Sequence, residues 1–159
     1  MKKRSTSSAG ISRRQGLKLI AGAALVPPFA ARADAATPEV LAFDALYSSR
    51  SVLGLEYSER VKSLDGQKVR MRGYMAPPLK ADATFFVLTR TPVALCPFCS
   101  SDADWPDDIV VVYLAAHQNF VQFNRAIEVE GTLAHGSWTD PETGFVSMLR
   151  ITQSRFGQV

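Results

Sequence analysis

The sequence predicts a mainly β domain built on five strands, with a short helix ahead of them. Three observations carry this. Residues 68–75 (KVRMRGYM) and 126–133 (AIEVEGTL) alternate apolar and polar side chains with a period of two, which is the pattern of a half-buried strand. Residues 108–114 (DIVVVYL) form a nearly continuous apolar run, as a deeply buried strand requires. Between these segments lie breaks dense in Gly, Pro, Asp and Ser, and there is no internal repeat and no low-complexity tract.

Taken in order, the elements start after Thr37-Pro38, which closes a small-residue stretch. Glu39 to Ser49 places Leu41, Phe43, Leu46 and Tyr47 at amphipathic helical spacing, with Thr37 as N-cap and Pro38 at the first position. Residues 50–66 have no single period, and Ser58-Glu59 start a helical turn through Val61 and Leu64. Asp65-Gly66 is a turn signal. The first strand follows at 68–75, with Val69, Met71, Gly73 and Met75 on one face. Lys68, Arg70, Arg72 and Tyr74 share the other face, and Gly73 is read as a bulge. Ala76-Pro77-Pro78 stops it. The second strand is TFFVLTR, 84–90, and the third is 108–114. Ala115 to Asn124 is a loop or helical turn, and the fourth strand is 126–133. GSWTDPETG, 136–144, makes a hairpin into the fifth, FVSMLRIT, 145–152. Five strands with this spacing and a closing hairpin fit an OB-like small barrel, and another small antiparallel sandwich or roll is the alternative.

The N-terminal residues have a different character. Met1 to Arg4 are basic, Arg13 and Arg14 stand side by side, and an apolar run from Leu19 to Phe29 ends in small-x-small sites at 31–33 and 33–35. This order is that of an export signal, expected to occupy residues 1–35 and to leave residues 36–159 as one domain. The run is short and broken by Pro27-Pro28, so no membrane span or stable membrane anchor is expected. The arginine pair, with Leu17 and Lys18 after it, resembles a bacterial twin-arginine (Tat) signal. That resemblance implies passage through the Tat translocase to the periplasm. Gly16 departs from the pattern, holding a slot that usually carries a bulky apolar residue. The Tat route carries folded proteins, which raises the expectation of a metal inserted beforehand.

Charge then divides unevenly. Seven of the 18 Lys and Arg, and none of the 15 Asp and Glu, lie in residues 1–33, leaving 11 basic against 15 acidic residues from Asp34 onward, net −4. Nucleic-acid binding depends on neutralising phosphates with a basic surface, so no nucleic-acid partner is expected. Roughly 125 residues suffice for a core without disulfides.

The segment LDGQKVRMRGYMAPP, 64–78, resembles an uncharacterised family of bacterial periplasmic and lipoprotein-type proteins. Its members share an L-D-G-x-x-V-x-x-x-G-Y-M-x-P core. The resemblance continues through Phe85-Phe86-Val87-Leu88, a cysteine-containing loop and Val129-Glu130-Gly131-Thr132-Leu133, and covers roughly residues 55–152. It implies an OB-like fold. Some members are associated with envelope transport systems, including those for transition metals, which implies a partner of that kind and a metal-related role.

Both cysteines of the chain, Cys96 and Cys99, lie in one C-P-F-C tetrad. Three readings stand. Thiolates at C-x₂-C spacing can grip one soft or borderline ion, zinc or copper(I). In a closed site they would need further ligands. His135, at the end of the fourth strand, faces the tetrad loop if the OB order holds, with Asp102, Asp104 or Asp140 as an oxygen ligand. His117 lies beyond the third strand, roughly 20 Å away at about 3.3 Å per residue, and is read as a surface histidine. The second reading is a short disulfide staple, which persists in an oxidising compartment but gains little chain entropy. The third is redox. C-P-F-C looks like the glutaredoxin-type active site, but only seven residues ending in Pro106 follow, too few for the helix that such a site needs. Asp102, Asp104, Asp107 and Asp108 would also raise a thiol pKa.

Other candidate residues for a ligand or partner face are Arg70, Arg72, Tyr74, Trp105 and Trp138. The alternatives are a solvated strand face for the first three, an aromatic plug over the barrel end at Trp105, and an exposed aromatic in the hairpin turn at Trp138, a position that OB folds often use for ligands. The sequence shows no Gly-rich phosphate loop, no metalloprotease motif and no nucleophile beside either histidine. The expectation is a non-catalytic metal-binding accessory or carrier protein of the periplasm. An interaction module with a stapled tetrad is the alternative, and a thiol-disulfide redox protein is the third.

Overall fold

The computed structural model describes residues 37–51, 54–78, 84–94 and 105–159, all within one compact unit, Ala35–Val159. It is mainly β. Eight strands are present among the described residues: β1 (Glu39–Val40), β2 (Tyr47–Ser51), β3 (Gly54–Tyr57), β4 (Lys68–Met75), β5 (Phe85–Thr89), β6 (Ile109–Leu114), β7 (Ala126–Thr139) and β8 (Val146–Gln158). One α-helix, α1 (Glu59–Ser63), and a 3-10 turn at Phe43–Ala45 complete them.

The five strands expected from periodicity are β4 to β8. Their pairings run β4-β5-β6-β8-β7, and β7 pairs back onto β4, so the five form a closed circuit. Every neighbouring pair is antiparallel except β6–β8, which is parallel. The alternation in β4 sends Val69, Met71 and Met75 inward, and that in β7 does the same for Ile127, Val129 and Leu133. Phe86, Leu88, Val110, Val112, Leu149 and Ile151 meet them from the other strands. β5 and the first four residues of β6 are buried on both faces, which accounts for their unbroken apolar run.

Three expectations need correction. The short helix across 39–49 does not form. Val40 and its neighbour Glu39 pair in parallel with β4 instead, Leu41 N–H donates to Arg70 O at 2.9 Å, and Tyr47 begins a hairpin with β3. An eleven-residue helix is marginal by itself. The chain buries Leu41, Phe43 and Leu46 just as fully with one 3-10 turn. Gly73 is not a bulge, because the β4–β7 register runs unbroken through it. It is small because β5 passes close by: a Cβ there would stand 2.6 Å from Thr89 O. The hairpin strands are also longer than expected, reaching Thr139 and Gln158.

Their length is managed by two bulges. Glu130 pairs with Arg155 and Thr132 with Thr152, so Gln153 and Ser154 together oppose Gly131. Gln153 takes φ +47 to make that extra step. The bend presses Ile151 Cγ2, Thr152 O and Ser154 Cβ to within 2.8 Å of where a Gly131 Cβ would sit, so only glycine fits. The second bulge lies at the other end of β7, where Gly136 and Ser137 together oppose Met148.

Candidate functional site

The second bulge gathers the polar and aromatic side chains of the candidate site. Gly136 turns through φ +96, which takes its backbone N–H and C=O out of the ladder. Two side chains satisfy them. The Tyr57 hydroxyl accepts from Gly136 N–H at 3.3 Å and donates to Met148 O at 2.7 Å. It thus inserts into the ladder where the bulge opened it. Arg150 Nη1 donates to Gly136 O at 2.8 Å.

Tyr57 is brought there by β3, and its ring stacks on Tyr47 of β2 with centroids 5.5 Å apart. Trp105 Nε1 donates to the Tyr47 hydroxyl at 2.9 Å and its ring packs on both apolar clusters of the domain. The plug expected at Trp105 is therefore a side chain anchored to the β2–β3 hairpin. Burial pushes the Tyr47 and Tyr57 phenols up, so both are neutral hydrogen-bonding groups.

His135 stands one residue before the bulge, its ring edge-on to Tyr57 at 5.1 Å. Its Nδ1 is buried and lies 3.0 Å from Asp65 Oδ1, which also accepts from the His135 backbone N–H at 3.2 Å. Asp65 is held in place by local structure. Ser58 caps α1 by accepting from Val61 N–H at 3.1 Å, and the chain leaves the helix through Gly66 at φ +73. Gly66 N–H then donates to Leu133 O, and Leu133 N–H donates to Gln67 O, both at 2.9 Å. These bonds fasten the 65–67 turn against β7 two residues before His135. Burial opposes the Asp65 charge, but the nearby His135 ring and the bond from its backbone N–H outweigh it and hold the carboxyl below its usual value. Nδ1 itself makes no hydrogen bond among the described residues, so the carboxylate acts on the imidazole by proximity and charge.

Beyond the bulge, Trp138 packs edge-on against Tyr113 at 5.1 Å, and the Arg150 guanidinium lies 5.4 Å from the Trp138 ring centroid. Trp138 is exposed over 36% of its surface. Asp140 serves the hairpin loop: its Oδ1 accepts from Glu142 N–H at 2.8 Å and Thr143 N–H at 3.0 Å. It is buried, and its nearness to Tyr113 adds to the burial that pushes that phenol up.

The face of Arg70, Arg72 and Tyr74 lies elsewhere, on the outer side of β4. Arg70 reaches Glu130 at 2.7 Å and Glu128 at 3.4 Å, and Arg72 reaches Glu128 at 2.7 Å. Arg155 adds a contact to Glu130 at 2.8 Å, and these arginines hold the Glu130 carboxyl below its usual value. His117 is exposed. Cys96, Cys99, Asp102 and Asp104 lie outside the described residues, as do Arg13 and Arg14. Among the described residues no three His, Cys, Asp or Glu side chains cluster to hold a metal, and no helix is long and apolar enough to cross a membrane.

Sequence reasoning missed Asp65, Tyr57, Tyr113 and Arg150 as parts of this site. A usable signal was present in His135-Gly136, since a glycine inside a strand pattern marks a bulge.

No protein-family model matches the chain, and neither does any curated protein. Among solved structures, it resembles the crystal structure of a DUF3299 family protein from Pseudomonas aeruginosa PAO1. The TM-score is 0.54 at 16% identity, over 77% of this chain and 97% of that one. A likeness at that identity is one of fold.

Proposed function

We propose that the chain is an exported, periplasmic metal-binding accessory protein on an OB-like five-stranded barrel. Its ligands are Cys96, Cys99 and His135, and its partner is an envelope transport system. The closed β4-β5-β6-β8-β7 circuit, with its single parallel pairing, supports the OB-like reading. The metal reading is carried by one observation, the Asp65 carboxylate 3.0 Å from His135 Nδ1. Histidine ligands of metals usually have a carboxylate beside the non-ligating ring nitrogen, where it orients the ring and raises the basicity of the other nitrogen, and Asp65 stands at that position. Two thiolates and one imidazole nitrogen favour zinc or copper(I). Asp140 Oδ1 is already engaged by the hairpin loop, which favours Asp102 or Asp104 as the oxygen ligand.

Metal content and free thiols, measured on one sample of exported chain purified without chelator, test this reading. About one metal per chain with two free or metal-bound thiols is expected, and Cys96→Ser abolishes the metal. Absence of metal with Cys96 and Cys99 joined in a disulfide would favour the interaction module instead. The exposed Trp138 beside Arg150 is the observation that recommends that second reading.

A further inference from the structure

The most incompletely partnered charge at the bulge is Arg150. Its side chain is half-buried, and burial lowers its pKa. Arg70, also half-buried, ends on two carboxylates, and the exposed Arg72 and Arg155 end on carboxylates too. Arg150 has none within 4 Å among the described residues. Its Nη1 is used by Gly136 O, while Nε and Nη2 make no hydrogen bond among the described residues. Desolvating a cation is unfavourable unless it is paired. The guanidinium is nevertheless held rigidly, by the bulge carbonyl on one side and by the Trp138 ring 5.4 Å away on another. Beside Trp138, the Tyr113 hydroxyl is buried and makes no hydrogen bond of good geometry, with Asp140 and Ser147 as its polar neighbours.

From this geometry we infer that Arg150 and Trp138 form a binding site for a carboxylate group. The Nε and Nη2 edge of a guanidinium presents two parallel N–H donors, which match the two oxygens of a planar carboxylate. Trp138, exposed over 36% of its surface, provides an apolar wall for whatever carries the carboxylate. The surrounding charge selects a monoanion. Asp65 acts on Arg150 through space, and Asp140 lies beside Tyr113, so a phosphate dianion meets more repulsion than a carboxylate does. This site uses no residue of the proposed metal set and stands whether or not that reading does.

Benzoate is the probe, titrated at constant ionic strength into the isotopically labelled full chain, with inorganic phosphate as the comparison. Saturable movement of the Trp138 indole N–H and Arg150 Nε–H resonances is expected. Arg150→Lys keeps the charge but loses the two-donor edge, and weakens benzoate by about tenfold. The dispersed spectrum of that variant reports that it is folded. Should Arg150→Lys fail to fold, Trp138→Ala, which leaves the guanidinium in place but removes the wall, is expected to weaken benzoate about fivefold. No saturable shift in the natural chain would overturn the site. So would unchanged affinity in a folded variant, and phosphate displacing benzoate at equal or lower concentration would overturn the choice of a carboxylate.

Discussion

β7 meets its neighbours in two different ways along its length. From Ala126 to Leu133 it is a wall whose own alternation is unbroken, although β8 bulges at Gln153 and Ser154 opposite Gly131, with apolar residues inward and the outward carboxylates matched to arginines on β4 and β8. From Ala134 to Thr139 the ladder is opened by Gly136, and side chains rather than backbone close it. The wall satisfies itself. The bulged end leaves an imidazole nitrogen, two N–H donors of Arg150 and the Tyr113 hydroxyl with capacity to spare. A regular strand can place a charged row but not converge side chains from β3, the 65–67 turn, β6 and β8 on one point. The bulge does that by re-aiming the strand.

The sharpest way to break the contrast is at the wall's tightest point. Gly131→Ala puts a Cβ within 2.5 Å of Ile151 Cγ2 and 2.7 Å of Thr152 O. Forcing the bulged strand outward is expected to cost about 3 kcal/mol, read as a fall in the denaturant midpoint. Gly73→Ala, against the Thr89 carbonyl at 2.6 Å, is expected to cost somewhat less, since only that atom lies under 3.0 Å, against three atoms at Gly131. A next-smaller effect belongs to the bulged end. Tyr57→Phe removes the hydroxyl that joins Gly136 N–H to Met148 O and leaves both without that partner, at about 1–2 kcal/mol. Hydrogen exchange at Gly136 should speed up in that variant while the 127–133 amides stay protected.

The charged wall gives the smallest effect. Glu130→Gln weakens partly exposed pairs with Arg70 and Arg155 and is expected to change stability by less than about 1 kcal/mol, and less still at high salt. Acid sharpens this. Glu130 and Asp65 both titrate below their ordinary values in the folded chain. Their contribution is therefore complete above the unfolded-state values of about 4 and is lost as pH falls through the lower folded-state values. A thermal midpoint that declines as pH drops below about 4 is expected, with a shallower decline in Glu130→Gln and in Asp65→Asn.

The wall was legible in the sequence because period-two alternation is a local property. β4 and β7 show it residue by residue, and the buried run of β6 is as plain. The turn at Asp65-Gly66 and the helical turn starting at Ser58-Glu59 were legible for the same reason. The start of the domain was not. Leu41, Phe43 and Leu46 have helical spacing, yet β4 offers a backbone edge that no local pattern announces. The candidate site was half legible: His135 stood out by residue type, whereas its partner Asp65 is seventy residues away and looked like a turn residue only. Arg150, opposite Ala134 on the outer side of a strand, resembled any solvated arginine until the bulge carbonyl gave it a place.

X-ray absorption at the metal edge of the chain, isolated without chelator, tests the proposed metal site most directly. Expected is a first shell containing two sulfurs at about 2.3 Å and a nitrogen at about 2.0 Å with imidazole scattering, the nitrogen lost in His135→Ala and its order disturbed in Asp65→Asn. A shell without sulfur, or one unchanged by His135→Ala, would contradict it.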